Sequence, residues 1–183
     1  MQIIDTQIEG LVIIEPTVYT DPRGYFFESF NQQKFEEKVC KTVFIQDNES
    51  KSVYGVIRGL HFQKPPFEQA KLVRVVMGKV LDVAVDIRKG SPTFGKHVTV
   101  ELSAENKRQF FIPRGFAHGY SVLSEEAIFQ YKVDNRYAPE YEGGILWNDE
   151  DLGIDWKIDP GKGIFSEKDL KNNKLKNLFF YNE

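Results

Sequence analysis

The chain has 183 residues, of which 41% are hydrophobic and 14% aromatic, which is enough apolar surface for the core of a single domain over residues 1–183. Its formal net charge of −3 argues against non-specific binding to nucleic acid, which requires a strongly basic surface. Cys40 is the only cysteine, so an intramolecular disulfide is excluded. Neither a membrane-spanning apolar run nor a signal peptide is visible, and a reducing cytoplasm without membrane contact is expected.

Alternating apolar and polar residues dominate the sequence and predict an all-β fold. Residues 10–19, "GLVIIEPTVY", predict a strand that ends at Pro16, and "DPRG" (residues 21–24) suits a tight turn. The first short helix is predicted in "NQQKFEEKV". Further strands are predicted within residues 42–50, 56–63, 70–90, 96–103, 108–124 and 127–135. Short strands punctuated by glycine and proline indicate an antiparallel sandwich or barrel, and residues 161–177 predict a partly helical C-terminal segment.

The clearest local prediction is a β-hairpin over residues 70–88 that closes near Gly78. In that register Val73 faces Asp82, and Lys71 lies diagonal to Asp82 on the same face. A lysine that shares a face with valines lies either at the rim of the core or inside it with a charged partner. We therefore expect Lys71 and Asp82 to lie within reach of each other.

The stretch "RGLHFQ" at residues 58–63 places polar side chains in an otherwise apolar strand. His61, one of three histidines in the chain, is flanked there by Leu60 and Phe62. Such a histidine is either a core residue with a hydrogen-bonded ring or a base directed into a pocket. The sequence disfavours a metal site, because metal-binding β-barrels usually carry a paired H-x-H and the position after next is Gln63.

Other polar side chains also have two interpretations. Tyr131 shares a strand face with apolar residues and is either a core tyrosine or a pocket residue. His118 lies in a glycine-containing segment predicted as a loop, which suits the mouth of a barrel. Arg23 lies in a tight turn and is either solvated or a phosphate ligand. Asp169 follows Ser166 at the spacing of a helix capping box, with Asp in the place of Glu or Gln.

Together, these motifs occur in the order found in one protein family. The segments that carry the resemblance, over about residues 5–170, are "DPRGYFFE", "QDNESKS", "GVIRGLHFQ", "QAKLVRVVMGKVLDVAVDIRKGSPTFGK", "FIPRGFAHGY", "YKVDNRYAPEYEGGILWND" and "FSEKD". They closely resemble the dTDP-4-dehydrorhamnose 3,5-epimerases of dTDP-L-rhamnose synthesis. The resemblance implies a cupin-like jelly roll of two antiparallel sheets, a homodimer, and an isomerase that uses neither a metal nor an organic cofactor.

The resemblance also implies roles for four residues. The family's substrate, dTDP-4-dehydro-6-deoxy-D-glucose, has a ketone at carbon 4 that acidifies the protons on carbons 3 and 5. Inversion requires a base on one face, an acid on the other, and a group that stabilises the enolate oxygen. By resemblance His61 is the base and Tyr131 the proton donor, with reference pKa values of about 6.5 and about 10. Asp169 is implied to orient His61, and Lys71 to stabilise negative charge beside the ketone oxygen.

The resemblance also implies a set of substrate-binding residues. The resemblance assigns Tyr137 to stacking on the thymine, and assigns three cations to the diphosphate or the sugar, namely Arg23, Arg58 and Lys168. Their implied polar neighbours are Glu28, Gln46, Asn48, His118 and Glu142.

Several points stay open at the level of the sequence. Strict alternation places Arg58 and His61 on opposite faces of one strand, unless Gly59 forms a bulge or Arg58 acts from a strand end or across a dimer. Asp169 either orients His61 or caps a helix. Related epimerases invert only one centre, and a cupin that merely binds the sugar nucleotide is a third candidate, which the presence of both an acid and a base disfavours. In the homodimer, the apolar residues 11–19 are expected to pair with a partner's sheet edge.

Overall fold

Two antiparallel β-sheets stacked on each other form the protein in a computed structural model, which describes residues 1–159 and 161–178. The strands are Gln2–Asp5 (β1), Val12–Glu15 (β2), Tyr19–Asp21 (β3), Gly24–Phe26 (β4), Gln46–Val53 (β5), Ile57–Gln63 (β6), Lys71–Met77 (β7), Lys79–Asp86 (β8), His97–Ser103 (β9), Gln109–Ile112 (β10), Phe116–Val122 (β11), Glu126–Val133 (β12) and Glu142–Gly144 (β13). The helices are the α-helix Gln32–Lys38 (α1) and the 3₁₀ helices Pro139–Tyr141, Asp169–Lys171 and Leu175–Asn177.

The strand order is that of a double-sheet β-sandwich. The six-stranded sheet has the order β1-β2-β10-β7-β12-β5, and the five-stranded sheet has the order β13-β6-β11-β8-β9. Strands β3 and β4 form a separate hairpin. The all-β, antiparallel architecture expected from the sequence is confirmed. In the part of the chain that the structure describes, no helix is both long and apolar enough to cross a bilayer.

The largest core lies between the two sheets. The six-stranded sheet contributes Val73, Phe110 and Phe129, and the five-stranded sheet contributes Val80 and Tyr120, all of them at most 5% exposed. Burial of a side chain of this size stabilises the fold by about 1.5–3 kcal/mol relative to leaving it in water. Alternation along each strand therefore selects which residues enter this core, and the opposite residues form the outer faces.

The outer face of the five-stranded sheet is covered by the chain that follows β13. Val83 of β8 packs there in one cluster with Trp156 and Leu175. Because both faces of β8 are covered, seven of its eight residues are buried. The covering segment consists mostly of turns and irregular backbone, with an isolated bridge from Ile164 to Val56, so the helical character expected for residues 161–177 is limited to two 3₁₀ helices.

The predicted hairpin of β7 and β8 is wrong, because the two strands belong to different sheets. Strand β7 pairs with β10 and β12, whereas β8 pairs with β9 and β11. The chain crosses between the sheets at Gly78, whose φ is +75° and where a Cβ atom would lie 2.0 Å from the Glu126 carbonyl oxygen. A short link between two apolar strands suits a hairpin and a sheet crossing equally well, and only the long-range pairing distinguishes them.

The N-terminal apolar segment was expected to pair with the sheet edge of a partner chain, but it is not available for such pairing. Strand β2 lies inside the six-stranded sheet, between β1 and β10. Strands β1 and β5 form the two edges of that sheet. Strand β1 therefore pairs with the side of β2 that was expected to be free for a partner chain.

Asp86, at the end of β8, is hydrogen-bonded to the loop that follows, and we expect it to contribute to the stability of the fold. Its carboxylate has no exposed surface and accepts hydrogen bonds from the Arg88 guanidinium and backbone, and from the hydroxyls of Ser91 and Thr93, over 2.6–2.9 Å. Burial acts to raise the pKa of Asp86, but these hydrogen bonds outweigh burial and hold the pKa well below its ordinary value. The carboxylate therefore stabilises the fold above about pH 4, and this contribution is lost as the pH falls further.

Asp86→Asn is expected to lower the free energy of unfolding at pH 7 by about 2–3 kcal/mol, because it removes charge-assisted hydrogen bonds from a buried site. The melting temperature should fall by roughly 4–12 °C for a chain of this size. Thermal melts from pH 3 to pH 7 should also show a weaker acid dependence in the variant. Asp155→Asn is the control, since that carboxylate is exposed; equal melting temperatures for both variants would refute the assignment.

Candidate active site

A cavity of about 460 Å³ opens between the two sheets. His61 lies on the five-stranded sheet and Tyr131 on the six-stranded sheet, so the two side chains line facing walls. The cavity brings together six of the residues singled out in the sequence, namely Arg58, His61, Lys71, His118, Tyr131 and Asp169.

A β-bulge in β6 directs both Arg58 and His61 into this cavity. On the neighbouring strand β11, His118 pairs with His61 and Tyr120 pairs with Arg58, so three steps along β6 oppose two steps along β11. Gly59 has a φ of +128°, and a Cβ atom there would lie 2.6 Å from the Cα atom of the facing strand, which excludes other residues. The bulge considered in the sequence is therefore present, and Arg58 reaches the cavity of its own chain.

His61 is paired with the carboxylate of Asp169. His61 Nε2 lies 2.5 Å from Asp169 Oδ1, and the side chains are 31% and 4% exposed, respectively. The Ser166 hydroxyl donates to Asp169 Oδ2 at 2.7 Å and accepts from the Asp169 backbone amide at 3.1 Å. Asp169 thus contacts His61 and joins a capping-type contact at the same time, so the two interpretations are compatible.

The pKa values of this pair follow from burial and hydrogen bonding. Burial acts to raise the pKa of Asp169, but the hydrogen bonds from His61 and Ser166 outweigh it and keep the pKa below its ordinary value. Asp169 is therefore ionised at neutral pH. A fixed carboxylate on Nε2 holds the imidazole ring in one orientation and leaves Nδ1 as the nitrogen that can accept a proton.

Lys71 is the amine that lines the cavity. Although the residue keeps part of its surface accessible, burial lowers the pKa of its amine to about 8, and attraction to Asp82 and Glu142 opposes the shift only in part. Asp82 therefore acts electrostatically on Lys71 from the opposite sheet and not within a hairpin, and its hydrogen-bond partner is His118. At neutral pH the amine is charged and incompletely compensated, which suits it to stabilise an anion.

His118 belongs to strand β11 and is buried, so its predicted position in a loop at the barrel mouth is wrong. Its Nε2 lies 2.9 Å and 3.0 Å from the two carboxylate oxygens of Asp82, which is fully buried. Burial lowers the pKa of His118, and Asp82 opposes this shift. The glycine-containing segment forms the backbone hydrogen bonds of a strand and not a loop, and Gly119 permits close contact with the neighbouring strand.

Tyr131 points from β12 into the cavity and packs beside the core between the sheets. Burial raises its pKa, and the nearby Tyr120 acts in the same direction. The phenol is therefore protonated at neutral pH and is available as a proton donor. Tyr131 is therefore both a core residue and a pocket residue, since its ring borders the core while the residue lines the cavity.

Three further predicted residues form a hydrogen-bonded group, and two of them, Glu142 and Lys168, line an adjoining cavity of about 500 Å³ that shares Lys71 with the first. The Tyr137 hydroxyl donates to Glu142 Oε2 at 2.8 Å, and Lys168 forms an ion pair with the same carboxylate. Tyr137 is 55% exposed, which leaves its ring free to stack on a planar group. Gln46 and Asn48 lie at the start of the edge strand β5, where Asn48 pairs in register with Tyr131.

Arg23 and Glu28 are not brought to the cavity of the same chain. Arg23 lies at the tip of the β3–β4 hairpin, with a side chain that is 90% exposed and paired with Asp21. Glu28 is bonded to Asn31 and Lys34 at the surface. Their assignment to the substrate stays a prediction, and it requires a site on another chain.

Two hydroxyl groups that meet in the cavity, those of Tyr120 and Ser50, were missed in the sequence. The Tyr120 hydroxyl lies 2.9 Å from Ser50 Oγ, and both residues line the cavity. Tyr120 occupies a core-facing strand position, where an aromatic residue is expected for packing alone, so no local signal distinguishes it. Within residues 1–159 and 161–178, no group of three or more His, Cys, Asp or Glu side chains is placed to hold a metal ion.

Comparisons with known proteins match nearly the whole chain. A model of the dTDP-4-dehydrorhamnose 3,5-epimerase family matches residues 5–177. The dTDP-4-dehydrorhamnose 3,5-epimerase of Shigella flexneri is 56% identical over 176 residues, which are 96% of either chain. The crystal structure of the dTDP-4-dehydrorhamnose 3,5-epimerase of Elizabethkingia anophelis is 54% identical, with a TM-score of 0.94 over 98% of this chain and 99% of that one.

A further crystal structure contains a sugar nucleotide. It is a dTDP-6-deoxy-D-glucose-3,5-epimerase of Legionella pneumophila in complex with dTDP-4-keto-L-rhamnose, 51% identical, with a TM-score of 0.93 over 97% of this chain and 94% of that one. The jelly-roll fold expected from the sequence is confirmed by these structures. Because both the sequence match and the fold match extend over almost all of the chain, the protein belongs to the dTDP-4-dehydrorhamnose 3,5-epimerase family.

Proposed function

We propose that the protein epimerises dTDP-4-dehydro-6-deoxy-D-glucose at carbons 3 and 5 to give dTDP-4-dehydro-L-rhamnose. The observation that carries this proposal is the placement of the His61–Asp169 pair and Tyr131 on facing walls of one cavity that also contains the Lys71 amine. Proton removal on one face and proton delivery on the other are the two requirements for inversion next to a ketone. Family membership supplies the substrate class.

The reaction starts when His61 Nδ1 takes the proton from carbon 3 or carbon 5. The electron pair of the broken C–H bond moves into the bond with carbon 4, and the ketone oxygen becomes an enolate. The ammonium of Lys71 stabilises this oxygen, a contribution of roughly 3–4 kcal/mol for one well-placed donor. Asp169 stabilises the imidazolium that forms. Tyr131 then donates its phenolic proton to the opposite face of the carbon, which inverts the centre.

The test follows solvent exchange. The protein is incubated with the keto sugar in deuterated water, and deuterium at carbons 3 and 5 is read by NMR together with the configuration of the product. Deuterium and inversion at both carbons are expected. Inversion of one carbon only would indicate a single-centre epimerase, and binding without exchange would indicate a cupin that merely binds the sugar nucleotide.

The activity should fall as the pH rises through about 8, because Lys71 loses its proton there and not at the usual value near 10.5. The enolate needs the ammonium, so a lowered pKa moves the loss of activity to a lower pH. A plot of kcat/KM against pH reports this group in the free enzyme. In Lys71→Arg the cation persists above pH 12, so the alkaline limb near pH 8 should disappear from what activity remains; a limb that stays in place belongs to another group.

We assign the nucleotide to the polar groups around the cavity mouth. Arg58 lies in the cavity, and Lys168 with Glu142 lies at the adjoining one, where cations suit the diphosphate. The exposed ring of Tyr137 suits stacking on thymine. Gln46 and Asn48 of the edge strand β5 offer hydrogen-bonding groups to the sugar or the base, and the buried His118 borders the cavity from within. Arg23 and Glu28 require a second chain to reach the substrate.

We also propose that the protein is a homodimer in which the β3–β4 hairpin of each chain reaches the site of the other. Tyr19, Tyr25 and Phe26 on this hairpin are 64%, 61% and 68% exposed, which is unusual for aromatic residues of a monomer. Arg23 at the tip carries a charge that suits a diphosphate. A cytoplasmic location agrees with the single free thiol of Cys40.

Light scattering at micromolar concentration should give about twice the chain mass of 21.2 kDa. Co-expression of Arg23→Ala with His61→Ala tests the exchange of hairpins, since each variant alone lacks one part of every site. Mixed dimers contain one complete site if Arg23 acts on the other chain, so about a quarter of wild-type activity is expected from random pairing. A mass near that of one chain, or a mixture as inactive as its components, would contradict the proposal.

A further inference from the structure

Tyr120 is a second phenol in the cavity, and the reaction described above does not use it. The residue is 5% exposed, and its ring stacks on Phe129 with 4.2 Å between centroids. Phe129 lies two residues before Tyr131 on the same face of β12, with 6.1 Å between these centroids. The Tyr120 hydroxyl lies 2.9 Å from Ser50 Oγ, and Ser50 belongs to β5, the neighbour of β12, so this hydroxyl reaches the sheet that carries Tyr131.

Two inversions in one site create a problem of proton supply. Each inversion moves one proton from carbon to His61 and one proton from Tyr131 to carbon. The enzyme is left with an imidazolium and a phenolate, and neither can serve the second carbon. His61, with a side chain that is 31% exposed, can return its proton to water directly. Tyr131 is half-buried beside the core, where a hydroxyl group within the cavity can restore its proton.

We propose that Tyr120 and Ser50 form a hydroxyl relay that returns a proton to the Tyr131 phenolate between the two inversions. This inference rests on the proposed function. Tyr131 takes the proton of the Tyr120 hydroxyl, Tyr120 takes that of Ser50, and Ser50 takes one from water. The hydroxide that forms is neutralised by the proton that His61 releases, so the site returns to its starting state with no net gain or loss.

The surroundings of Tyr131 agree with this direction of transfer. After burial, the neighbouring Tyr120, Glu142 and Tyr137 raise the pKa of Tyr131, and only Arg58 lowers it. A phenolate with a raised pKa accepts a proton readily. The outer end of the relay is accessible, because Ser50 is half-buried in the edge strand β5 next to the exposed Glu49, which also lines the cavity.

Tyr120→Phe tests the relay, since it keeps the ring that stacks on Phe129 and removes only the hydroxyl. Rapid-quench kinetics with excess substrate in deuterated water separate the singly and doubly inverted sugars. The first inversion should keep a rate within a few fold of wild type. The second should slow by about 10²-fold, the lower end of what a positioned proton donor contributes, so the singly inverted sugar should accumulate.

Matched variants distinguish a relay from a packing role. Ser50→Ala should slow the second inversion in the same way, and Ser50→Thr, which restores a hydroxyl at a strand position, should recover it. Tyr54→Phe, a tyrosine that does not line the cavity, should behave as wild type. Equal slowing of both inversions in Tyr120→Phe and Ser50→Ala, or no slowing in either, would overturn the relay. If wild type itself inverts neither carbon, the proposed function fails instead.

Discussion

His61→Ala is expected to abolish the exchange of solvent deuterium into carbons 3 and 5, with turnover reduced by about 10³-fold or more, the scale of a lost general base. The reason is geometric. His61 is a histidine of the cavity whose Nε2 is held by a buried carboxylate, so Nδ1 is presented to the substrate in a fixed orientation. The other histidine of the cavity, His118, has its Nε2 bonded to both oxygens of Asp82 and is more deeply buried.

The affinity for the nucleotide should stay within a few fold in His61→Ala, because the proposed nucleotide contacts do not involve the imidazole. Binding of dTDP by calorimetry checks this. His97→Ala is the matched control, since that histidine lies on β9 outside the cavity, and its exchange should match wild type. The exchange rate of Asp169→Asn should lie between those of His61→Ala and His97→Ala, because the base remains but loses its orientation. Undiminished exchange in His61→Ala would exclude His61 as the base.

Tyr131→Phe is expected to separate exchange from inversion. The substitution keeps the ring and its packing beside Phe129 and removes only the hydroxyl. The enolate should still form, because His61 and Lys71 remain, and its proton should return mostly from His61 to the face that it left. Product should therefore fall by roughly 10²–10⁴-fold, while deuterium still enters at least one carbon.

NMR of the recovered substrate in heavy water measures both quantities in one sample. A purely structural role of Tyr131 predicts a different pattern, with a lower melting temperature and with exchange and turnover that fall together or not at all. Tyr141→Phe is the control, since Tyr141 packs on Phe67 away from the cavity and should leave both quantities unchanged. Near-normal inversion in Tyr131→Phe would assign the donor role to water or to another residue.

Alternation along the strands predicted the all-β fold because burial on one face of a sheet imposes a period of two on the side chains. The prediction failed where the same local pattern suits two tertiary arrangements. The link at Gly78 was expected to close a hairpin, yet it carries the chain from one sheet to the other. Strand pairing depends on partners that are distant in the sequence, such as β10 and β12 for β7, and no local signal reports them.

The sequence by itself determined the family and the types of side chain in the site, because the order of many short motifs is specific even where each motif is not. The tertiary structure decided how those side chains act. The bulge at Gly59 turned Arg58 and His61 to one side, and burial set the pKa of Lys71 near 8. Tyr120 entered the site only through folding. Residue types and their spacing are local properties, whereas burial, proximity and proton affinity arise from packing between distant segments.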